Sequence, residues 1–446
     1  MIVTGKKRWI LLALVSLMAG IMVYVPYLRY SYYDQMAMLF TECKGLVDPA
    51  HVNEFFGNFT LVLASICTIG YPIGGYIADK FKEKTLLILG GLLMGIGSVW
   101  FGMLTSPASI MIIHVIYGVG VVLIFITFLK VTRKLGTAEE QGRMFSVSEF
   151  IRAITGTVLG FLAVALLNQA VIGGAADPDA LVTQWRIALT MDGIIFFVIC
   201  IGLFFLLPGN LEGAENAGKE VTEEPISLRA AVEVLKMPGT WLVSFLIFFC
   251  YSFTACGSGY LGTYTVNVIG ISATAASTFS VVRNYIIAAL STLIIGFVAD
   301  KIGFKVKTLG IYLVIASIAT AALIFSGGAG TVIGILVCSI FAFMYTGMRG
   351  IYFATMEEVG IPLRLNGVAT GIVSFICYLP DVYFAKIAGI WLDKYGNTGF
   401  TYIWIWAIAC GILGVIVAVI TTSYAKKLKA QKENEQNLNL EQKASA

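Results

Sequence analysis

Charge is scarce in this chain. Only 13% of its 446 residues are Asp, Glu, Lys or Arg, and histidine occurs twice, at His51 and His114. A soluble domain carries about a quarter of its residues as charges, so this chain cannot clothe a water-exposed surface. The two histidines are too far apart in sequence to form a zinc motif, and His114 stands alone in an apolar run. It is either a proton relay or, as its setting favours, a hydrogen-bonded structural residue. Of the eight cysteines, only Cys43 falls in a polar loop, and the spacings suit neither a disulfide framework nor a metal cluster. Nucleophile constellations and phosphate-cradling loops are also missing. The stretch GSGYLG, Gly257 to Gly262, has no strand ahead of it and reads as flexible backbone inside an apolar run. No catalytic residue, metal or cofactor is expected.

What is present is apolar length. Hydrophobic residues make up 58% of the chain, and the mean hydropathy is +0.86. About 20 apolar residues cross the ~30 Å hydrocarbon core of a bilayer as a helix. That ruler gives spans at Trp9 to Tyr33, Glu54 to Ala78, Thr85 to Leu104, Ser109 to Thr132, Phe145 to Leu167 and Arg186 to Leu207. A second set lies at Gly239 to Thr263, Thr274 to Ala299, Val306 to Ser326, Thr331 to Thr355, Asn366 to Ile390 and Phe400 to Thr422. The fold class expected is therefore an all-α membrane protein with twelve transmembrane helices in two pseudosymmetric six-helix bundles. The N-terminal bundle occupies residues 1–207 and the C-terminal bundle 239–424. Between them, residues 208–238 form a cytoplasmic linker, polar first and then amphipathic enough for a short surface helix. Residues 425–446 form a cytoplasmic polar tail expected to fray from the last span.

The two sets are related by a repeat. GGYIADKFKEK, from Gly74 to Lys84, and GFVADKIGFK, from Gly296 to Lys305, align Gly75 with Gly296, Asp79 with Asp300 and Lys80 with Lys301 at one shift of 221 residues. Lysine and arginine cluster in these loops, at both termini and in the linker, whereas only Lys44, Arg186 and Lys394 fall in the alternate loops. The positive-inside rule then places both termini in the cytoplasm of a multi-pass protein of the cell membrane. Lys6, Lys7 and Arg8 precede an apolar run as in a secretory signal, but no small-residue cleavage site follows, so the first span is expected to be retained. The net charge of +4 reports this topology and does not call for a nucleic-acid partner.

Two six-span halves with a doubled aspartate-lysine loop resemble the major facilitator superfamily along essentially the whole chain. The first copy departs from the family's loop at Phe81-Lys82-Glu83, where the second keeps Gly303. The resemblance implies that Gly75, Asp79, Lys80, Gly296, Asp300 and Lys301 form a conformational latch between the halves. Closer resemblance to the branch containing bacterial sugar-phosphate and hexuronate permeases rests on three stretches. These are YLRYSYYDQM in span one, the run from Lys130 to Arg152, and Met348 to Phe384. Arg29 matches that branch's first-span arginine. The phosphate carriers add an arginine in span seven, which this chain lacks, so the likeness favours a carboxylate over a phosphate.

Ionisable groups within spans are costly and need a partner or a function. The bases Arg29, Lys130, Arg152, Arg283, Arg349 and Lys386 outnumber the acids Glu149, Asp192 and Asp381. Rise along the helices puts Arg152 and Arg283 nearest the midplane, Arg29 farther out, and Lys130 and Arg349 near the cytoplasmic face. Arg29, Arg152 and Arg283 are the candidate anion ligands, with Tyr27 and Tyr378, among other tyrosines, offering hydroxyls to a sugar-like group. Glu149, three residues before Arg152, either neutralises it or meets substrate. Asp381 follows Pro380 at a bend, and with Glu149 it is a candidate for ion coupling, the alternative being a fixed ion pair with Lys386 or Arg29. The function expected is a secondary transporter, acting as a monomer in the lipid bilayer. It moves a small organic anion such as a sugar acid by alternating access with a proton or sodium. A drug or metabolite exporter and a transporter-like sensor are the competing readings.

Overall fold

In a computed structural model of the chain, residues 3–137, 140–172, 175–209, 211–212 and 228–444 are described. The N-terminal half comprises α1 (Gly5–Met22), α2 (Tyr33–Met38), α3 (Val52–Lys80), α4 (Glu83–Met103), α5 (Pro107–Leu135), α6 (Gln141–Asn168) and α7 (Pro178–Leu206). A two-residue pair, β1 (Val171–Ile172) with β2 (Ala175–Ala176), joins α6 to α7. The linker helix is α8 (Leu228–Lys236). The C-terminal half comprises α9 (Pro238–Asn267), α10 (Ala273–Val281), α11 (Ala288–Ile302), α12 (Lys305–Ser326), α13 (Thr331–Met348), α14 (Thr355–Glu358), α15 (Asn366–Cys377), α16 (Leu379–Tyr395) and α17 (Thr398–Ala444). Eleven stretches among the described residues are long and apolar enough to cross a bilayer. Large apolar side chains such as Phe205, Phe325 and Val332 point outward at 75%, 78% and 83% exposure. An apolar belt of this kind marks a lipid-facing surface.

The first expected span, Trp9 to Tyr33, is the one missing from those eleven, because it is broken. α1 spends its first turn on Lys6, Lys7 and Arg8 and stops at Met22. The ring of Pro26 would clash with the carbonyl four residues back, which is that of Met22. The chain continues as a 3-10 segment, Val25–Tyr30, before α2 resumes the crossing. Pro380 acts likewise in span eleven, where α15 gives way to α16 at Tyr378. Span eight is interrupted by a π-helical segment, Val282–Ile287, between α10 and α11. Three crossings thus carry irregular backbone at depth, which a bilayer tolerates only against protein or a water-filled space.

Two expectations are corrected here. Span ten ends at Met348 rather than Thr355, so Arg349 caps α13 at the start of a turn. The tail stays helical: α17 runs unbroken to Ala444, because Ala, Lys, Gln, Glu and Leu dominate it and are strong helix formers. The helix α8 is tied to the C-terminal half by an Arg364–Glu233 ion pair. Residues 213–227 of the linker lie outside the described residues.

Successive crossings alternate in direction, which brings both termini to one end of the bundle. At the opposite end the halves are pressed together. A Cβ placed on Gly57 of α3 would lie 2.5 Å from the Lys386 Cα, and one on Gly389 of α16 would lie 2.3 Å from the Asn53 carbonyl oxygen. Only glycine permits two helix backbones to approach so closely. The Asp393 carboxylate then accepts hydrogen bonds from the Asn53 amide (3.1 Å), the Asn53 side-chain amide (2.6 Å) and the Glu54 amide (2.7 Å). It caps the first turn of α3, where unpaired N–H groups favour an anion. Further ties across the halves are Thr263 to Asp34 (2.8 Å), Gln35 to the Ala273 carbonyl (3.2 Å) and Ser277 to Gln35 (3.1 Å).

Candidate functional site: a cavity between the halves

Sealed at the far end, the interface opens toward the termini as a cavity of about 1810 Å³. Small-ligand pockets are commonly about 300–1,000 Å³, so a solute fills only part of it. Its deep end is lined by Tyr24, Tyr27, Tyr30, Ser31, Asn284 and Tyr285, and its mouth by Lys130, Arg133, Lys134, Asp300 and Asn366.

The sequence candidates divide between the wall and the interior. Tyr27, Glu149, Arg152, Tyr378 and Asp381 line the cavity, whereas Arg29 and Arg283 do not. That corrects the expectation that all three arginines face the solute space. Arg29 is 3% exposed. It is enclosed by the rings of Tyr30, Tyr33 and Tyr260, with its guanidinium carbon 5.2, 5.9 and 5.2 Å from their centroids. Its Nε and Nη1 atoms are buried without hydrogen-bond partners. Arg283 is fully buried against backbone carbonyls. Gly257, Gly259 and Gly262 lie within α9 and are not loose backbone. A Cβ on Gly257 would strike the Tyr345 ring, one on Gly259 would crowd Arg29, and one on Gly262 would crowd Ser280.

Pairing decides which charges a solute can meet. Five cations (Lys130, Arg133, Lys134, Arg152, Arg349) and three carboxylates (Glu149, Asp300, Asp381) line the cavity. Glu83 takes Lys134 at 2.5 Å and Lys130 at 3.7 Å, and Glu149 takes Arg152. Arg349 is exposed to the cavity and forms no ion pair among the described residues. Asp381 accepts a hydrogen bond from the Tyr251 hydroxyl at 2.5 Å, in place of the expected pair with Lys386 or Arg29. The Tyr251 ring packs on Tyr378 with centroids 4.6 Å apart, and the Tyr378 hydroxyl lies 3.2 Å from that of Tyr352. Arg349 and Arg29 are both within electrostatic reach of Asp381. A carboxylate, phenol hydroxyls and a guanidinium that forms no close ion pair among the described residues therefore converge from α9, the end of α13 and the α15–α16 break.

Arg349, Tyr251 and Tyr352 were missed as site residues. Counting down span ten carries Arg349 along a helix that stops before it, and Tyr251 lies inside the mostly apolar run FFCYSF, with no charged neighbour to mark it. His114 resolves as structural: its Nδ1 lies 2.7 Å from the Ile110 carbonyl, and its ring stacks on Phe59.

The expected latch is only partly visible. The side chain of Asp79 and the surroundings of Gly75 lie outside the described residues, and Lys80 is the last residue of α3. In the second copy, Asp300 and Lys301 make no ion pair with one another or with other described residues. Gly296 has open space where a Cβ would stand. The helices that follow are anchored by two glutamates, one at the end of the first copy and one outside the repeat. Glu83 holds Lys134, which also donates to the Leu211 carbonyl at 2.8 Å. Glu358 accepts from the Lys305 and Val306 amides at 2.7 and 3.0 Å and caps α12.

Comparison with known proteins agrees with this architecture. The sequence profile described as Major Facilitator Superfamily matches residues 9–385. The chain is 25% identical over 421 residues to inner membrane protein YqcE of Escherichia coli (strain K12), covering 92% of this chain and 93% of that protein. It is 23% identical over 442 residues to inner membrane protein YihN of the same organism, covering 96% and 98%. Among solved structures, a bacterial homolog of the human lysosomal transporter Spinster, inward-facing and unoccupied, superposes with a TM-score of 0.71 at 14% identity, over 95% of this chain and 97% of that one. A D-xylose-proton symporter superposes with a TM-score of 0.70 at 16% identity, over 93% and 97%. With a twelve-crossing bundle in two halves, a cavity between them and a family match across most of its length, this chain belongs to the Major Facilitator Superfamily and is a multi-pass membrane transporter rather than an enzyme.

Proposed function

We propose that the chain carries a small hydroxylated organic anion, of the sugar-acid class, across the inner membrane by alternating access, coupled to a proton at Asp381. The observation that carries this reading is Arg349, a guanidinium facing the cavity that lies within electrostatic reach of Asp381 but forms no close ion pair among the described residues. A guanidinium presents paired N–H donors that match a carboxylate. Around it, Tyr27, Tyr71, Tyr251 and Tyr378 offer hydroxyls and ring faces suited to a polyol. Arg152 stands opposite on α6, released to solute when Glu149 turns away. Likeness in fold to a D-xylose-proton symporter supports a sugar-like solute and proton coupling. The relatives YqcE and YihN support an inner-membrane location. The charged loops support cytoplasmic termini, so the cavity described here faces inward. The protein works as a monomer, each chain holding its own complete cavity.

Uptake into proteoliposomes with an imposed pH gradient tests the reading, using a panel of sugar acids, sugar phosphates and neutral sugars. A sugar acid is expected to accumulate and to outcompete the rest; equal uptake of neutral sugars would end the anion claim. Asp381→Asn keeps the Tyr251 contact but cannot shuttle a proton. Gradient-driven accumulation is expected to fall by about 10-fold or more, the scale of a lost proton-transfer group. Solute counterflow, which needs no net proton movement, should continue. Unchanged gradient-driven uptake in this variant would remove Asp381 from coupling.

A further inference from the structure

Arg283 is the one described arginine with 0% exposure, and it occupies the interrupted part of span eight. A charge at that depth requires compensation, yet its hydrogen bonds among the described residues are to uncharged acceptors. Nη1 donates to the Gly257 carbonyl at 3.0 Å, and Nη2 donates to the Ser258 carbonyl at 3.3 Å and the Tyr30 carbonyl at 2.8 Å. Its Nε donates to the Asn284 side-chain oxygen at 3.1 Å, and the Asn284 amide donates to the Ser31 hydroxyl at 3.2 Å. Gly257 and Ser258 belong to α9, in the same half as Arg283. Tyr30 and Ser31 belong to the other half, at the break in span one.

This arrangement joins three irregular features: the 3-10 break of span one, the glycine-bearing stretch of α9 and the π-helical segment of span eight. The same two residues that Arg283 and Asn284 hold, Tyr30 and Ser31, also face the deep end of the cavity. For the far end to open, the break in span one must leave the C-terminal half, so the bond to the Tyr30 carbonyl exists in only one of the two states. The bonds to Gly257 and Ser258 lie within one half and persist through the motion. A contact made in one state alone biases the equilibrium between them.

The geometry points to Arg283 as a positioning residue for transport: it clamps the broken outer segment of span one against spans seven and eight, and releasing that clamp opens the far end of the cavity. The inference rests on alternating access, as proposed above, but not on the identity or charge of the solute. Arg283 is thus a clamp behind the binding surface and makes no contact with the solute.

Ser280 offers a reporter. It is 1% exposed on α10, beside Arg29 in the sealed region, and its hydroxyl has no hydrogen-bond partner, so Ser280→Cys removes no bond. In a Cys43→Ser background, purified protein is treated with a maleimide, and modification at position 280 is followed by peptide mass spectrometry. Arg283→Gln is expected to speed modification by about 5-fold or more, as a shift of the two-state population would. Arg283→Lys, which keeps a charge and a flexible donor, should restore much of the protection. Asn284→Ala loosens only the parallel tie to Ser31 and removes no buried charge. It should raise modification by about 2-fold, and it serves if the Arg283 variants fail to fold. Unchanged modification in Arg283→Gln, or in Asn284→Ala where only that variant folds, overturns the clamp. So does Arg283→Lys modified as fast as Arg283→Gln. Failure of the sugar-acid panel leaves these rates untouched, so the two ideas fail separately.

Discussion

Uptake of the preferred acid is expected to fall by roughly 10- to 150-fold in Arg349→Ala, since a hydrogen bond to a charged group contributes about 1.5–3 kcal/mol. No neighbouring base replaces it at the Asp381 end of the cavity: Lys130 and Lys134 are held by Glu83, and Arg152 by Glu149. Arg349→Lys keeps the charge but loses the planar pair of donors, so part of the loss should remain. Equilibrium binding of the acid, measured by calorimetry in detergent, should weaken in the same order, alanine below lysine below the parent. Because Arg349 follows the last turn of α13 and is exposed, its truncation opens no cavity in the packed interior, and the thermal midpoint should move little. Binding of the acid that is unchanged by Arg349→Ala would remove the residue from the site.

Gly389→Val is expected to act through shape alone and to shift the protein toward a state open at the far end. The substituent would enter the carbonyl of Asn53 at 2.3 Å, a backbone atom that cannot turn aside. Overpacking of this kind commonly costs about 1–3 kcal/mol, enough to change the ratio of two states by roughly 10-fold or more. α3 and α16 must then separate, and the Asp393 cap on Asn53 and Glu54 separates with them. Spin labels at Ala50 and Lys394, both exposed at that end, should show a longer and broader distance distribution than in the parent. Gly57→Val meets the Lys386 backbone from the opposite helix and should give the same result. The double variant should add little, because both substitutions break one contact. An unaltered distance distribution in both single variants would show that this glycine contact does not hold the far end shut.

Much of the architecture was legible in the sequence because a bilayer imposes a length on each apolar run. Helices α3 to α6, α9 and α12 fall close to their expected bounds, whereas α7 begins earlier, at Pro178, α13 stops at Met348 and α17 runs on to Ala444. What the runs hid was interruption. Pro26 breaks span one so that Arg29 turns away from the cavity into a cage of tyrosines, and distance counted along an unbroken helix gives depth but not facing. The same arithmetic puts Arg283 at the midplane without revealing that carbonyls enclose it, and it keeps Arg349 within a helix that in fact stops at Met348. Asp393 carries no signal of its own in the sequence. Its value as a cap depends on the start of α3, some 340 residues earlier in the chain, and no local pattern encodes such a pairing. Tyr27, Arg152, Tyr378 and Asp381 line the cavity, and the two charged ones stand out in the sequence because ionisable groups are rare inside such spans.

The last helix has a mechanical consequence. At about 1.5 Å per residue, a 47-residue helix is roughly 70 Å long, more than twice the hydrocarbon thickness. As it leaves the bundle, Lys429 lies over the Phe304 ring at 5.7 Å and Leu428 packs beside Gly360, so its root is tied to the C-terminal half. Whatever tilt that half undergoes, the shaft beyond it is carried through the same angle, and displacement at its tip grows with distance from the pivot. A fluorophore near Ala444 would therefore act as a pointer, converting a turnover of a few degrees into an arc that single-molecule optics can follow.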